Sequence, residues 1–279
     1  MVSINPFDVF LWTFRKNEKD VVNLYNTLSP VMQLATGGSM LNFGYWSPNH
    51  VDPISAQNNL CRVFGNLSEL STATNAIDVG SGLSAPSKLW RDSFPNLNLY
   101  DVNINFKQLC FSKHQKNIEF LNSTSTKLPF ANNSVDRVLA LESAQHFKPL
   151  HDFITESKRV LNQSGFLVMA IPITVQDSSL GKLGLLKFTW SSEHYSLDYL
   201  KNLVTSIGFQ ITDEISIGSH VYDPLADYYV ENRKTLKKNI VERYPAYVEK
   251  ILFKSILKMK KASQENIIDY VLLKCVLKS

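Results

Sequence analysis

The sequence predicts an α/β fold, a mostly parallel sheet covered by helices on both faces. Two observations carry this: short apolar strands alternate with helical stretches from about residue 74 to 215, and a glycine-rich turn follows the first of those strands. The composition agrees. Of 279 residues 44% are hydrophobic and 19% charged, with a net charge of +4, enough apolar material for a large core and too little charge for disorder. A mild positive excess tolerates anionic ligands without being the footprint of a nucleic-acid binder. The three cysteines, Cys61, Cys110 and Cys275, are far apart and form no metal-spaced cluster. No secretory leader or membrane span is expected, which places the protein in the cytoplasm; residues 21–51 lack charge but are interrupted throughout by polar residues, Gly and Pro.

Taken in order, residues 8–28 look helical, with Pro30 and Gly37-Gly38 breaking the pattern. Residues 39–50 read as an aromatic-rich loop. Asp52 and Pro53 open a second helix running to about Leu70. Strands are expected at 76–80, 96–103, 118–122, 135–142, 165–171 and 209–217, with helices to Asp92 and over 105–114, 149–161 and 196–208. Residues 224–264 form a helical insert broken at Pro245, and 267–278 a late strand that can enter the sheet antiparallel beside the sixth. The basic run at 254–261 reads first as a solvated helix face, with contact to anionic lipid or a phosphate-bearing substrate as the alternative.

The sharpest local signal is Asp78-Val79-Gly80-Ser81-Gly82-Leu83-Ser84-Ala85. Two glycines permit a tight turn and close backbone approach where a helix begins, which favours a nucleotide-like ligand. The same stretch fits G-x-G-x-x-A with Asp101 downstream, so a nicotinamide-binding oxidoreductase is also compatible with it.

Downstream, Lys127-Leu128-Pro129-Phe130, Asn133-Ser134-Val135-Asp136 and Leu141-Glu142-Ser143-Ala144-Gln145-His146 follow at helix–strand spacing. With these the chain resembles the class I S-adenosylmethionine-dependent methyltransferases, in the branch that modifies small molecules such as natural products, sterols and quinones. The resemblance implies a Rossmann-like, seven-stranded, mostly parallel sheet with an antiparallel last strand. It also implies one methyltransferase domain over 1–279: an N-terminal helical lid at 1–72, a cofactor-binding core at 73–223, and a helical insert with the last strand at 224–279. S-adenosylmethionine is then the cofactor. Asp78, Gly80, Ser81 and Gly82 would border its methionine half, Asp101 and Asn103 its ribose, Thr124 and Ser125 its adenine, and Glu142 the cofactor side of the fourth strand. Asn103 stands where relatives commonly have a carboxylate, Thr124-Ser125 where many have Asp, and Ser84 where a third glycine is usual.

Leu41-Asn42-Phe43-Gly44-Tyr45-Trp46 resembles the branch's lid motif, with Tyr45 toward the cofactor carboxylate and Trp46 toward substrate. His146, just past the fourth strand, is the candidate general base for a hydroxyl nucleophile, and it would also touch substrate. Trp190 and His194 belong to a stretch, 173–195, whose leucines and aromatics suggest a lid over an apolar acceptor. The expected reaction is methyl transfer to a small, fairly apolar acceptor, at a hydroxyl oxygen. Carbon methylation of an isoprenoid or quinol, a cyclase that binds the cofactor without methyl transfer, and a non-enzymatic scaffold are the alternatives. The partner is a small molecule, with neither nucleic acid nor stable membrane insertion, and no catalytic metal is expected. Oligomeric state is not set by the sequence.

Overall fold

The computed structural model describes residues 17–112 and 117–278. Helix α1 (Glu18–Thr36) and helix α2 (Pro53–Leu67) precede strand β1 (Asn75–Val79). Then come α3 (Ala85–Ser93), β2 (Asn98–Val102), α4 (Phe106–Ser112), β3 (Ile118–Leu121), β4 (Val135–Leu141), α5 (Leu150–Val160) and β5 (Leu161–Thr174). The chain continues through α6 (Leu186–Thr189), α7 (Leu197–Ile207), β6 (Phe209–Ser216), α8 (Tyr222–Val241), α9 (Ala246–Gln264) and β7 (Ile268–Leu277).

The strands form one sheet in the order β3-β2-β1-β4-β5-β7-β6, with β7 antiparallel to both its neighbours. The late strand therefore enters between the fifth and sixth rather than only beside the sixth. Side chains alternate across the sheet with period two. Val168, Ala170, Tyr270 and Leu272 face one core with Leu60, Phe64 and Trp90 of α2 and α3. Leu167, Met169, Val271 and Leu273 face the other, with Phe153 of α5 and Val204 of α7. Burial on both faces explains why β4 and β5 read as continuous apolar runs.

The element expectations hold with shifts at the ends, and two differ more. Strand β5 begins at Leu161 rather than 165, pairing Val135 before a register shift restores the ladder at Arg137. The first helix is displaced. Residues 1–16 lie outside the described residues, and α1 starts at a capping box between Asn17 and Asp20. It then passes through Pro30 and stops at Gly37, whose φ of 76° suits a glycine C-cap. Proline forfeits one backbone hydrogen bond here, but Leu24 and Val31 seat α1 on Ile240, Tyr244 and Val248 of the insert, and that packing overrides the local penalty.

Candidate active site

Beyond Val79 the chain bends through Gly80 (φ 76°), Gly82 (φ 57°) and Ser84 (φ 58°) into α3. Glycine is required at position 80, because a Cβ there would stand 2.6 Å from the Cβ of Ser143 at the end of β4. The Gly80 amide donates to Val102 O at 2.7 Å, tying the turn to the end of β2. At Gly82 a Cβ would reach within 3.6 Å of Leu41, so its absence keeps open the space between turn and loop.

Behind the turn, Asp78 and Asp101 face each other across paired strands, and both are buried. Ser87 Oγ lies 2.9 Å from one carboxyl and 2.6 Å from the other. A hydroxyl has one proton to donate, so one of these contacts requires a protonated carboxyl as donor. Burial pushes both groups up, Asp101 to about 7, and the two negative charges disfavour each other. Neither side chain lines the cleft in front of the turn; the pair braces β1 against β2 beneath it.

That cleft holds about 960 Å³ when the open space at its mouth is counted. One wall is the turn from Val79 to Leu83. A second is the end of β2, where Asn103 spends both amide protons, its Nδ2 donating to Gly82 O and Gln108 Oε1, while its Oδ1 accepts from the Asn105 amide and keeps a second lone pair. Ser125 reaches this wall, whereas Thr124 turns away to hydrogen-bond Glu18 and Thr126. The third wall is the end of β4. Glu142, at φ 51°, accepts the Phe43 amide on both oxygens at 3.1 Å, and burial pushes its carboxyl up to about 8.

His146 also faces the cleft. Its Nδ1 lies 2.6 Å from Ser192 Oγ and its Nε2 2.8 Å from the Tyr25 hydroxyl. The two partners come from opposite ends of the fold, Tyr25 from α1 and Ser192 from the segment after β5. Helix α1 roofs the cleft with Glu18, Val21, Val22 and Tyr25, an i, i+3, i+4, i+7 stripe.

Several residues expected at the site lie elsewhere. Leu41 and Asn42 line the cleft, but the chain reverses at Gly44 (φ 82°), where a Cβ would come within 2.8 Å of Ala56. Tyr45 and Trp46 are thereby carried to the far side. The Tyr45 ring tilts against His220, and Trp46 packs on Tyr228 while its indole N–H donates to Phe43 O. Trp190 is buried against Tyr222 and stacks on His194, whose Nε2 lies 3.2 Å from Lys187 O. Neither lines the cleft, and Leu183 and Leu186 of the expected lid face the core. The cleft's apolar surface comes instead from Val21, Val22, Leu41, Leu83, Leu141 and Phe147. Sequence reasoning missed the α1 stripe, whose helical spacing was legible, and Ser192, which nothing local marks.

Comparison with known proteins adds the chemistry. Residues 77–169 match the family model described as a methyltransferase domain. Over 266 residues, covering 87% of this chain and 86% of the relative, the sequence is 23% identical to erythromycin 3''-O-methyltransferase of Saccharopolyspora erythraea. Among solved structures, the [4+2]-cyclase SpnF superimposes with a TM-score of 0.77 at 16% identity, covering 94% of this chain and 96% of that one. A geranyl diphosphate methyltransferase solved with GPP and sinefungin gives a TM-score of 0.70 at 13% identity, over 92% and 98% of the two chains. The matched stretch runs from the strand before the glycine turn into β5, and so contains all three cleft walls described above. The chain thus carries, over residues 77–169, a stretch that matches the methyltransferase domain, within a fold shared with S-adenosylmethionine-dependent methyltransferases.

Proposed function

We propose that the enzyme moves the methyl group of S-adenosylmethionine to a hydroxyl oxygen of a small, fairly apolar acceptor, with His146 as the general base. The cleft suits the cofactor. Ser81 Oγ is buried at its wall without a hydrogen-bond partner, and glycine at 82 leaves the backbone approachable. Ser81, the Gly80–Leu83 backbone, Asn103, Ser125 and Glu142 are the groups that would hold it. Bound there, the cofactor supplies an electrophilic methyl on a good leaving group, so alignment accounts for much of the acceleration.

The remaining task is the acceptor's proton. The observation that carries the proposal is the 2.8 Å contact between His146 Nε2 and the Tyr25 hydroxyl at the cleft wall. A hydroxyl already occupies a position from which a proton can pass to the imidazole, and Ser192 fixes the ring from behind through Nδ1. An acceptor hydroxyl taking that position would lose its proton to Nε2 as its oxygen attacks. The similarity to a relative named as an O-methyltransferase favours oxygen over carbon.

The test separates binding from chemistry. His146→Ala is expected to keep its cofactor affinity in calorimetric titration and to lose about 10²–10⁴-fold in turnover, the usual worth of a positioned base. Turnover would be followed by mass spectrometry of products heavier by one methylene across hydroxylated acceptors. Unchanged turnover removes His146 from the mechanism, and products methylated only at carbon remove the hydroxyl acceptor.

A further inference from the structure

The insert helix α9 divides its two faces sharply. Val248, Ser255, Met259 and Ala262 are buried, while Lys250, Lys254, Leu257, Lys258 and Lys261 follow one another at helical spacing on the opposite face. From 250 to 264 the chain has five lysines and no carboxylate. Beside this face lies the segment after β5. Leu183 and Leu186 join Met259 in the same core, and a Cβ at Gly184 would stand 3.9 Å from Lys258 Cε.

That segment is inverted relative to an ordinary loop. It turns Leu183, Leu186 and Trp190 inward, yet leaves Leu180 (43% exposed), Leu185 (38%) and Phe188 (47%) at the surface beside Lys182 and Lys187. Residues 178–192 also contain no Asp or Glu. Lys260 is drawn off by Asp227 and Lys261 by Glu265, but Lys182, Lys187, Lys250, Lys254 and Lys258 have no carboxylate partner among the described residues. Protruding apolar side chains set among unneutralised lysines are the two components of a peripheral lipid-binding surface: cations held by anionic headgroups, apolar tips entering the acyl boundary.

We propose that α9 and the 178–190 segment together form a docking surface for an anionic lipid bilayer. Among the described residues no helix is long and apolar enough to cross a membrane, so the attachment is to the surface. An acidic protein would satisfy the lysines, but it would leave the exposed Leu180 and Leu185 unexplained. The surface also has a functional direction. The segment that bears these residues ends at Ser192, whose hydroxyl holds His146, so it leads from the bilayer to the cleft. This surface stands independently of which atom of the acceptor is methylated.

The experiment is co-sedimentation of the full chain with large unilamellar vesicles of phosphatidylcholine alone, or with about one third phosphatidylglycerol. Binding is expected only to the anionic vesicles, and 0.5 M salt should reverse it. Lys254→Glu/Lys258→Glu should lower the partition at least about tenfold, from the usual worth of a lysine near such a surface. Leu185→Ser/Phe188→Ser should lower it severalfold without changing its salt dependence. The charge-matched control Lys88→Glu/Lys107→Glu, in α3 and α4, should bind as the parent does. Thermal melts and cofactor titrations of every variant check that each is folded. Absence of binding to anionic vesicles, equal binding to neutral ones, or an equal loss in the control overturns the proposal. Salt-sensitive capture by immobilised polyglutamate without vesicle binding overturns it too, assigning the lysines to an acidic protein.

Discussion

Glu142 shows how much one side chain at this site is asked to do. It follows the last residue of β4, adopts a left-handed backbone, lines the cleft and holds the loop at Phe43 through both carboxyl oxygens. Burial raises its pKa from 4.5 to about 8, against the pull of the Phe43 amide. Between those values the folded chain therefore binds more protons at this position than the unfolded chain, and stability falls as pH rises. Asp78 and Asp101, raised for the same reason, slope the same way. Glu142→Gln keeps an oxygen for the Phe43 amide and removes the titration. Its Tm should accordingly fall less than the parent's from pH 5 to pH 8, and parallel melting curves across that range would show that Glu142 does not titrate there. At this scale the sequence was partly legible. Of the residues expected at the site, Gly80, Asn103, Ser125, Glu142 and His146 line the cleft, and their places were legible because they follow strand ends, where an open α/β sheet presents its ligands. Tyr25 and Ser192 were not, because 121 and 46 residues separate them from His146 and only the folded chain brings them to it.

Among the elements, α2 acts on the site without touching it. Asp52 caps it by accepting the Ser55 amide, while the Asp52 amide donates to Ser55 Oγ; the cap at Asp52 was expected from the sequence, its reciprocal bond with Ser55 was not. One turn further on, Gln57 donates to Met40 O and Asn42 O, so the helix holds the loop that places Leu41 and Asn42 on the cleft. Asp52→Ala should therefore cost about 1 kcal/mol of stability, the usual worth of an N-cap. It should also speed hydrogen exchange at the amides of residues 39–44 more than in α5, which is on the other side of the sheet. Uniform acceleration would mean that the cap supports the fold without reaching the loop. The LNFGYW motif was recognised, but its polarity was read the wrong way round. The aromatic rings drew the functional reading, whereas the reversal at Gly44 sends them into packing and leaves Leu41 and Asn42 at the cleft. A periodic pattern reports burial; it does not report which of two buried faces surrounds a ligand.

For the molecule as a whole, the cleft is a seam rather than a pit. Its floor is the carboxyl edge of β1, β2 and β4, and its roof is α1, a helix whose apolar side rests on α8 and the α9 N-terminus rather than on the sheet. Among the described residues, roof and floor meet through polar contacts, Tyr25 with His146, Asn26 with Asn105, Ser29 with Gln108 and Glu18 with Thr124, and through the edge-to-face packing of the Tyr25 and His146 rings. Hydrogen bonds of this kind contribute about 0.5–1.5 kcal/mol each net of water, so the seam is weaker than the two cores it joins. A ligand bridging roof and floor adds its whole binding energy to that junction. The cofactor should then raise the melting temperature by the amount linkage requires, about 2.7 kcal/mol at a hundredfold excess over its dissociation constant. Protection from hydrogen exchange should concentrate in α1 and at the Gly80–Leu83 turn, with little change in α7. The demethylated product should act similarly, because it retains the parts that the turn, Asn103 and Ser125 would hold, while NAD should leave both melting and exchange unchanged. Stabilisation by NAD, or protection confined to the floor with α1 unaffected, would mean that the roof does not close on the cofactor.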